Sequence, residues 1–65
     1  MKITLNGVVR EVEASVLDHA LSELGYSEST IATAVNGQFV PKKQRPDIVL
    51  SDGDRIEVVA PMQGG

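Results

Sequence analysis

Lys2-Ile3-Thr4-Leu5-Asn6-Gly7-Val8-Val9-Arg10-Glu11-Val12-Glu13, followed after Ala14 by Ser15-Val16-Leu17-Asp18-His19-Ala20-Leu21-Ser22-Glu23-Leu24-Gly25, decides the fold. The first stretch is two β-prone runs joined by Asn-Gly. That pair fits a type I′ turn, whose two central residues both need positive φ, so the stretch predicts a β-hairpin. The second stretch changes period. Leu17, Ala20, Leu21 and Leu24 stand at i, i+3, i+4 and i+7, one face of a helix. Ser15 is placed as an N-cap, with Asp18 at capping-box distance in place of the preferred Glu or Gln. Gly25 sits where a helix C′ residue belongs. A helix of about 9 residues is too short to stand by propensity, so packing of its apolar stripe must hold it.

Outward from this unit, Ile31-Ala32-Thr33-Ala34-Val35 reads as a strand, although its alanines are weak strand formers. Asn36-Gly37 is a second turn, leading to Gln38-Phe39-Val40, and Pro41 ends that run because it has no ladder N–H. Lys42 to Asp47 reads as a polar loop, and Ile48-Val49-Leu50 as a short apolar return. Ser51-Asp52-Gly53-Asp54 is a tight turn. Arg55 to Ala60 alternates, with Ile56 and Val58 on one side and Glu57 and Val59 on the other. The order strand, strand, helix, strand, short strand, strand predicts an α+β fold: a mixed sheet of about four to five strands with one main helix on one face. The Leu17/Leu21/Leu24 stripe is expected to meet Ile3, Leu5, Ile56 and Val58. Residues 1–60 are expected to form the domain and 61–65 a mobile tail.

Sixty-five residues make one small domain. With no cysteine there is no disulfide, thiolate metal site or thiol nucleophile. A net charge of −3 and only two aromatics, Tyr26 and Phe39, argue against nucleic-acid binding. The cluster Lys42, Lys43 and Arg45 reads as a solvated loop. No apolar run has the length of a membrane span or of a signal-peptide core, so a soluble cytoplasmic protein is expected.

Internal chemistry is sparse. His19, the single histidine, lies about 200° around the helix from Leu17, on the solvated face. Asp52 and Asp54 flank a turn glycine and lack the other ligands of a calcium loop. The serines stand in no hydrolase motif, and the glycines form no phosphate-binding loop. No catalytic or metal-ligating residue is therefore assigned.

What remains is the end of the sequence, Pro61-Met62-Gln63-Gly64-Gly65. Two glycines make a thin backbone that fits a narrow channel. The Gly65 carboxylate is ionised and a poor electrophile at neutral pH, and becomes reactive only when another enzyme activates it. Acyl-adenylation by ATP is the direct route. Gly65 is the candidate modified residue, and Gly64, Gln63 and Met62 are the candidate channel-entering tail.

Asn6-Gly7, Val16-Leu17, Leu24-Gly25, Ala34-Val35-Asn36-Gly37, Val40-Pro41-Lys42, Asp52-Gly53-Asp54-Arg55-Ile56-Glu57-Val58-Val59 and Gln63-Gly64-Gly65 together resemble the small sulfur carriers of bacterial thiamin biosynthesis. The resemblance covers essentially the whole chain and is most specific from Leu50 to Gly65. It implies a ubiquitin-like β-grasp fold and a carrier that is not itself an enzyme and binds no cofactor. An adenylating enzyme related to ubiquitin-activating enzymes would activate Gly65 with ATP. A cysteine desulfurase relay would supply sulfur, giving a thiocarboxylate, and thiazole synthase would receive it. The alternatives with the same end are the small subunit of molybdopterin synthase and a ubiquitin-like protein modifier. A β-grasp interaction module needs no Gly-Gly end. Family members often carry a tryptophan near the position of Gln44-Arg45-Pro46 here.

Overall fold

The computed structural model describes residues 1–26 and 30–60. Two antiparallel hairpins and a final strand build one sheet. β1 (Lys2–Leu5) pairs with β2 (Val8–Glu11), closing at Leu5↔Val8. β3 (Ala32–Val35) pairs with β4 (Gln38–Val40), closing at Val35↔Gln38. Both turns carry the two positive φ values read from Asn-Gly: 50° and 86° at Asn6 and Gly7, 51° and 85° at Asn36 and Gly37. β5 (Arg55–Val59) enters between the hairpins, parallel to β1 and antiparallel to β3. The sheet is thus mixed and five-stranded, in the order β2-β1-β5-β3-β4.

One helix, α1 (Leu17–Glu23), lies on one face of the sheet. Leu17, Ala20 and Leu21 are buried there, with Ile3 and Leu5 from β1, Val40 from β4, Ile56 and Val58 from β5, and Val12 and Leu50 from the connections. Leu24 is only partly buried at the edge of this core. The helix stops as its sequence indicates. Gly25 has φ 97°, the Gly25 N–H donates to Ser22 O at 3.1 Å, and the Tyr26 N–H donates to Leu21 O at 2.9 Å. This is the double bond pattern of a Schellman end.

The helix start differs from the expectation. The N-cap is Val16 rather than Ser15, with no side-chain cap bond, so the Ser15/Asp18 box does not form. Its place is taken by the Ile48–Leu50 return. The Leu17 N–H donates to Ile48 O at 2.9 Å, the Leu50 N–H donates to Ser15 O at 2.8 Å, and Val16 bridges Val49. One backbone acceptor from a distant segment, Ile48 O, takes the first N–H of an end that a cap would otherwise serve.

The Lys42–Asp47 stretch is a second departure. It is a 3₁₀ helix rather than a loop, and Arg45 is buried at 7% exposure while Lys42 and Lys43 stay exposed. The Arg45 Nη2 donates to Ile31 O at 2.8 Å, tying this helix to the approach to β3. The basic cluster is therefore not one solvated surface: its third member is a structural tie. Among the described residues no helix is long and apolar enough to cross a membrane.

Candidate functional site

β5 is the strand from which the chain runs toward Gly65, so its surroundings define the candidate site. Alternation along it divides the sheet. Ile56 and Val58 point into the core, while Arg55, Glu57 and Val59 are exposed on the opposite face, as the sequence predicts. No helix or strand covers that outer face among the described residues.

Next to the end of β5, the outer face is apolar. Register places Ala32 opposite Val59 and Ala34 opposite both Glu57 and Phe39. Ala32, Ala34, Phe39, Glu57 and Val59 line a shallow depression. Phe39 is 67% exposed and Val59 65% exposed, large apolar groups that folding leaves in water. The two alanines, weak choices for a strand, leave the floor of this depression low between them. In the sequence, alternation puts Val59 on the outer side with no role, and Phe39 stands only as one of two aromatics. The available signal was an apolar residue on the opposite parity to Ile56 and Val58.

Hydrogen bonds fix β5 at both ends. At its start the Asn36 Oδ1 accepts the Arg55 N–H at 3.0 Å, and the Asn36 Nδ2 donates to Asp54 Oδ1 at 3.1 Å. At its far end the Asn6 Oδ1 accepts the Val58 N–H at 2.9 Å, and the Asn6 Nδ2 donates to Val58 O at 3.1 Å. The turn that feeds β5 is stitched to β1. Asp52 Oδ1 accepts the Lys2 N–H at 2.7 Å, the Gly53 N–H donates to Lys2 O at 2.7 Å, and Asp54 Oδ2 accepts the Ser51 N–H at 2.8 Å. The two aspartates thus serve turn chemistry, each accepting a backbone N–H and Asp54 also the Asn36 side-chain amide. His19 is exposed on α1, far in sequence and face from the depression. The predicted tail residues Met62, Gln63, Gly64 and Gly65 lie outside the described residues, as does the predicted domain boundary at 60/61.

The Glu23 carboxylate has a structural role. Backbone N–H groups of Glu13 and Ala14 hold the Glu23 carboxyl below its ordinary value of 4.5. Glu13 donates to both oxygens, at 3.1 and 3.0 Å, and Ala14 donates to Oε1 at 2.6 Å. The loop entering α1 is thereby tied to the last turn of the same helix.

A five-stranded mixed sheet gripping one helix defines a protein of the β-grasp class. It superposes on the crystal structure of the thiamine biosynthesis protein ThiS from Geobacter metallireducens with a TM-score of 0.82 and 26% identity, covering 100% of both chains. Residues 3–65 match the ThiS family, and the chain belongs to that family. It is 40% identical over 63 residues to the sulfur carrier protein ThiS of Thermus thermophilus, covering 97% of this chain and 98% of that one. It is also 38% identical over 66 aligned positions to a thiazole synthase of Paramagnetospirillum magneticum, covering 100% of this chain but only 20% of that protein.

Proposed function

We propose that this protein is a sulfur carrier that delivers sulfur for thiazole formation in thiamine biosynthesis, with Gly65 as the residue that bears it. The observation that carries the reading is its similarity to a sulfur carrier along nearly the full length of both chains, in a family match that extends to Gly65. In the proposed cycle a carboxylate oxygen of Gly65 attacks the α-phosphate of ATP on a partner adenylating enzyme, and pyrophosphate leaves. The terminal sulfur of a persulfide on a cysteine desulfurase relay attacks the acyl carbon, and AMP leaves with one oxygen. A second thiol cleaves the S–S bond of the acyl disulfide, releasing the thiocarboxylate and leaving as a disulfide with the relay cysteine. The resulting thiocarboxylate is a far better nucleophile than the carboxylate it replaces. The absence of cysteine suits this cycle, since no internal thiol competes for the activated acyl group.

The chain itself supplies presentation rather than catalysis, and ATP belongs to the partner. Residues 1–60 act as the folded grip and 61–65 as the segment that enters the partner's channel. The apolar depression of Phe39, Ala32, Ala34 and Val59 is the surface we assign to partner docking, because it lies beside the strand that carries the tail. Thiazole synthase is the proposed recipient. A thiazole synthase that contains a stretch matching this whole chain supports the assignment. Joining a carrier to its acceptor in one polypeptide makes the encounter intramolecular and raises the effective concentration. ATP–pyrophosphate exchange by the cognate adenylating enzyme tests the activation step. Exchange dependent on this protein and abolished by deletion of Gly65 is expected. Undiminished exchange with the deletion variant would overturn the role of Gly65.

A further inference from the structure

We propose that Asn6 is a positioning residue for the reactive tail: its side-chain amide completes the β1–β5 ladder and so fixes the direction in which the chain leaves the sheet. This inference rests on the carrier reading above.

The parallel pairing of β1 with β5 covers only Thr4↔Arg55 and Leu5↔Ile56. Its last backbone bond is from the Asn6 N–H to Ile56 O, at 2.9 Å. Alternation along β5 sends the N–H and C=O of Val58 to that same side. There β1 has run out, because at Asn6-Gly7 the chain turns away into β2. The Asn6 amide fills the gap with one acceptor and one donor, bonding both polar groups of Val58. It stands in for the peptide group that a longer β1 would have supplied.

Few residue types can do this. Aspartate has no donor, and serine is too short to present a planar donor–acceptor pair. The position also needs φ 50°, which asparagine tolerates better than most residues. Asn36 makes an analogous grip on Arg55 and Asp54, at the opposite end of β5. Only the Asn6 grip lies at the end from which the tail departs, with Val59 and Ala60 between it and residue 61. Holding Val58 limits the directions open to the following residues, which lowers the ordering cost when a partner takes up the tail.

Asn36 provides the internal control. Asn6→Gly and Asn36→Gly each leave a Gly-Gly pair that accepts a type I′ turn, and each removes one amide grip. Pyrophosphate exchange by the cognate adenylating enzyme is measured against carrier concentration, with amide hydrogen exchange of Val58 followed in parallel. Asn6→Gly should speed Val58 exchange and raise the KM for the carrier by about tenfold, the effect of one to two lost hydrogen bonds, with kcat little changed. Asn36→Gly should leave that KM within about twofold of wild type. If Asn6→Gly does not fold, Asn6→Asp keeps the turn and the acceptor but sets a carboxylate against Val58 O, and should raise KM as well. A wild-type KM in a folded Asn6 variant overturns the proposal, as does an equal rise in the Asn6 and Asn36 variants. Wild-type protein that supports no exchange at all overturns instead the carrier reading on which the proposal stands.

Discussion

At the scale of single residues, two buried or bridging polar groups set measurable terms in stability. Glu23 accepts three N–H bonds from the Glu13–Ala14 backbone, which holds its carboxyl below its ordinary 4.5. The folded value is lower than the unfolded one, so the stabilisation is complete above the unfolded value and is lost as pH falls through the folded one. Denaturant unfolding followed from neutral pH into the acid range should show this loss, and Glu23→Gln should flatten that limb. An unchanged acid limb in the variant would remove Glu23 from the account. Thr33 faces the core at 1% exposure, and its hydroxyl has no hydrogen-bond partner among the described residues. Valine has nearly the same shape without the hydroxyl. Thr33→Val should therefore stabilise the protein by about 1 kcal/mol, a rise in Tm of roughly 5 °C for a domain of this size. A lower Tm would show that the hydroxyl is satisfied in solution. Neither term was legible in the sequence. Glu23 carries no assigned role in the sequence, and nothing local indicates that its carboxylate reaches back to residues 13 and 14. Spacing along one element shows which face a side chain is on, but not which distant backbone group it meets.

At the scale of elements, the legible parts were those with local causes. Asn-Gly dictates a turn wherever it falls, and both hairpins follow from that pair. Gly25 ends α1 because the left-handed conformation suits it. The parity of Ile56 and Val58 was readable from alternation alone. The misread parts depend on tertiary contacts. Ser15 had the right chemistry for a cap, but the Ile48–Leu50 segment reached the helix start first. Lys42–Asp47 looked like a solvated basic loop because three of its residues are cationic, yet it winds into a 3₁₀ helix and buries Arg45. The long side chain of Arg45 packs its stem while the guanidinium bonds Ile31 O. Arg45→Ala should lose both contributions, about 2 kcal/mol measured by urea unfolding. Lys43→Ala, a change to an exposed neighbour, should lie within about 0.5 kcal/mol of wild type. Equal effects of the two substitutions would return the segment to the loop first read from the sequence.

At the scale of the whole molecule, the fold places a small core on one side of the sheet, and among the described residues no helix or strand covers the other side beside β5. The candidate depression was only half visible beforehand. Parity put Val59 outward, but Phe39 joins it only through the β3–β4 pairing and the low alanine floor. Phe39→Asp combined with Val59→Asp should fold normally, since both side chains are already in water, and should weaken activation by at least about tenfold in kcat/KM. A normal rate of pyrophosphate exchange from that double variant would move partner docking elsewhere. In the proposed cycle the tail residues bear the chemistry and the sheet presents them. Intact mass spectrometry tests the whole account most directly, on protein incubated with its adenylating enzyme, ATP, a cysteine desulfurase and cysteine. The account predicts a mass gain equal to one sulfur for one oxygen, located at Gly65 and absent when ATP is omitted. An unchanged mass, or Gly65 joined instead to lysines of other proteins, would contradict it.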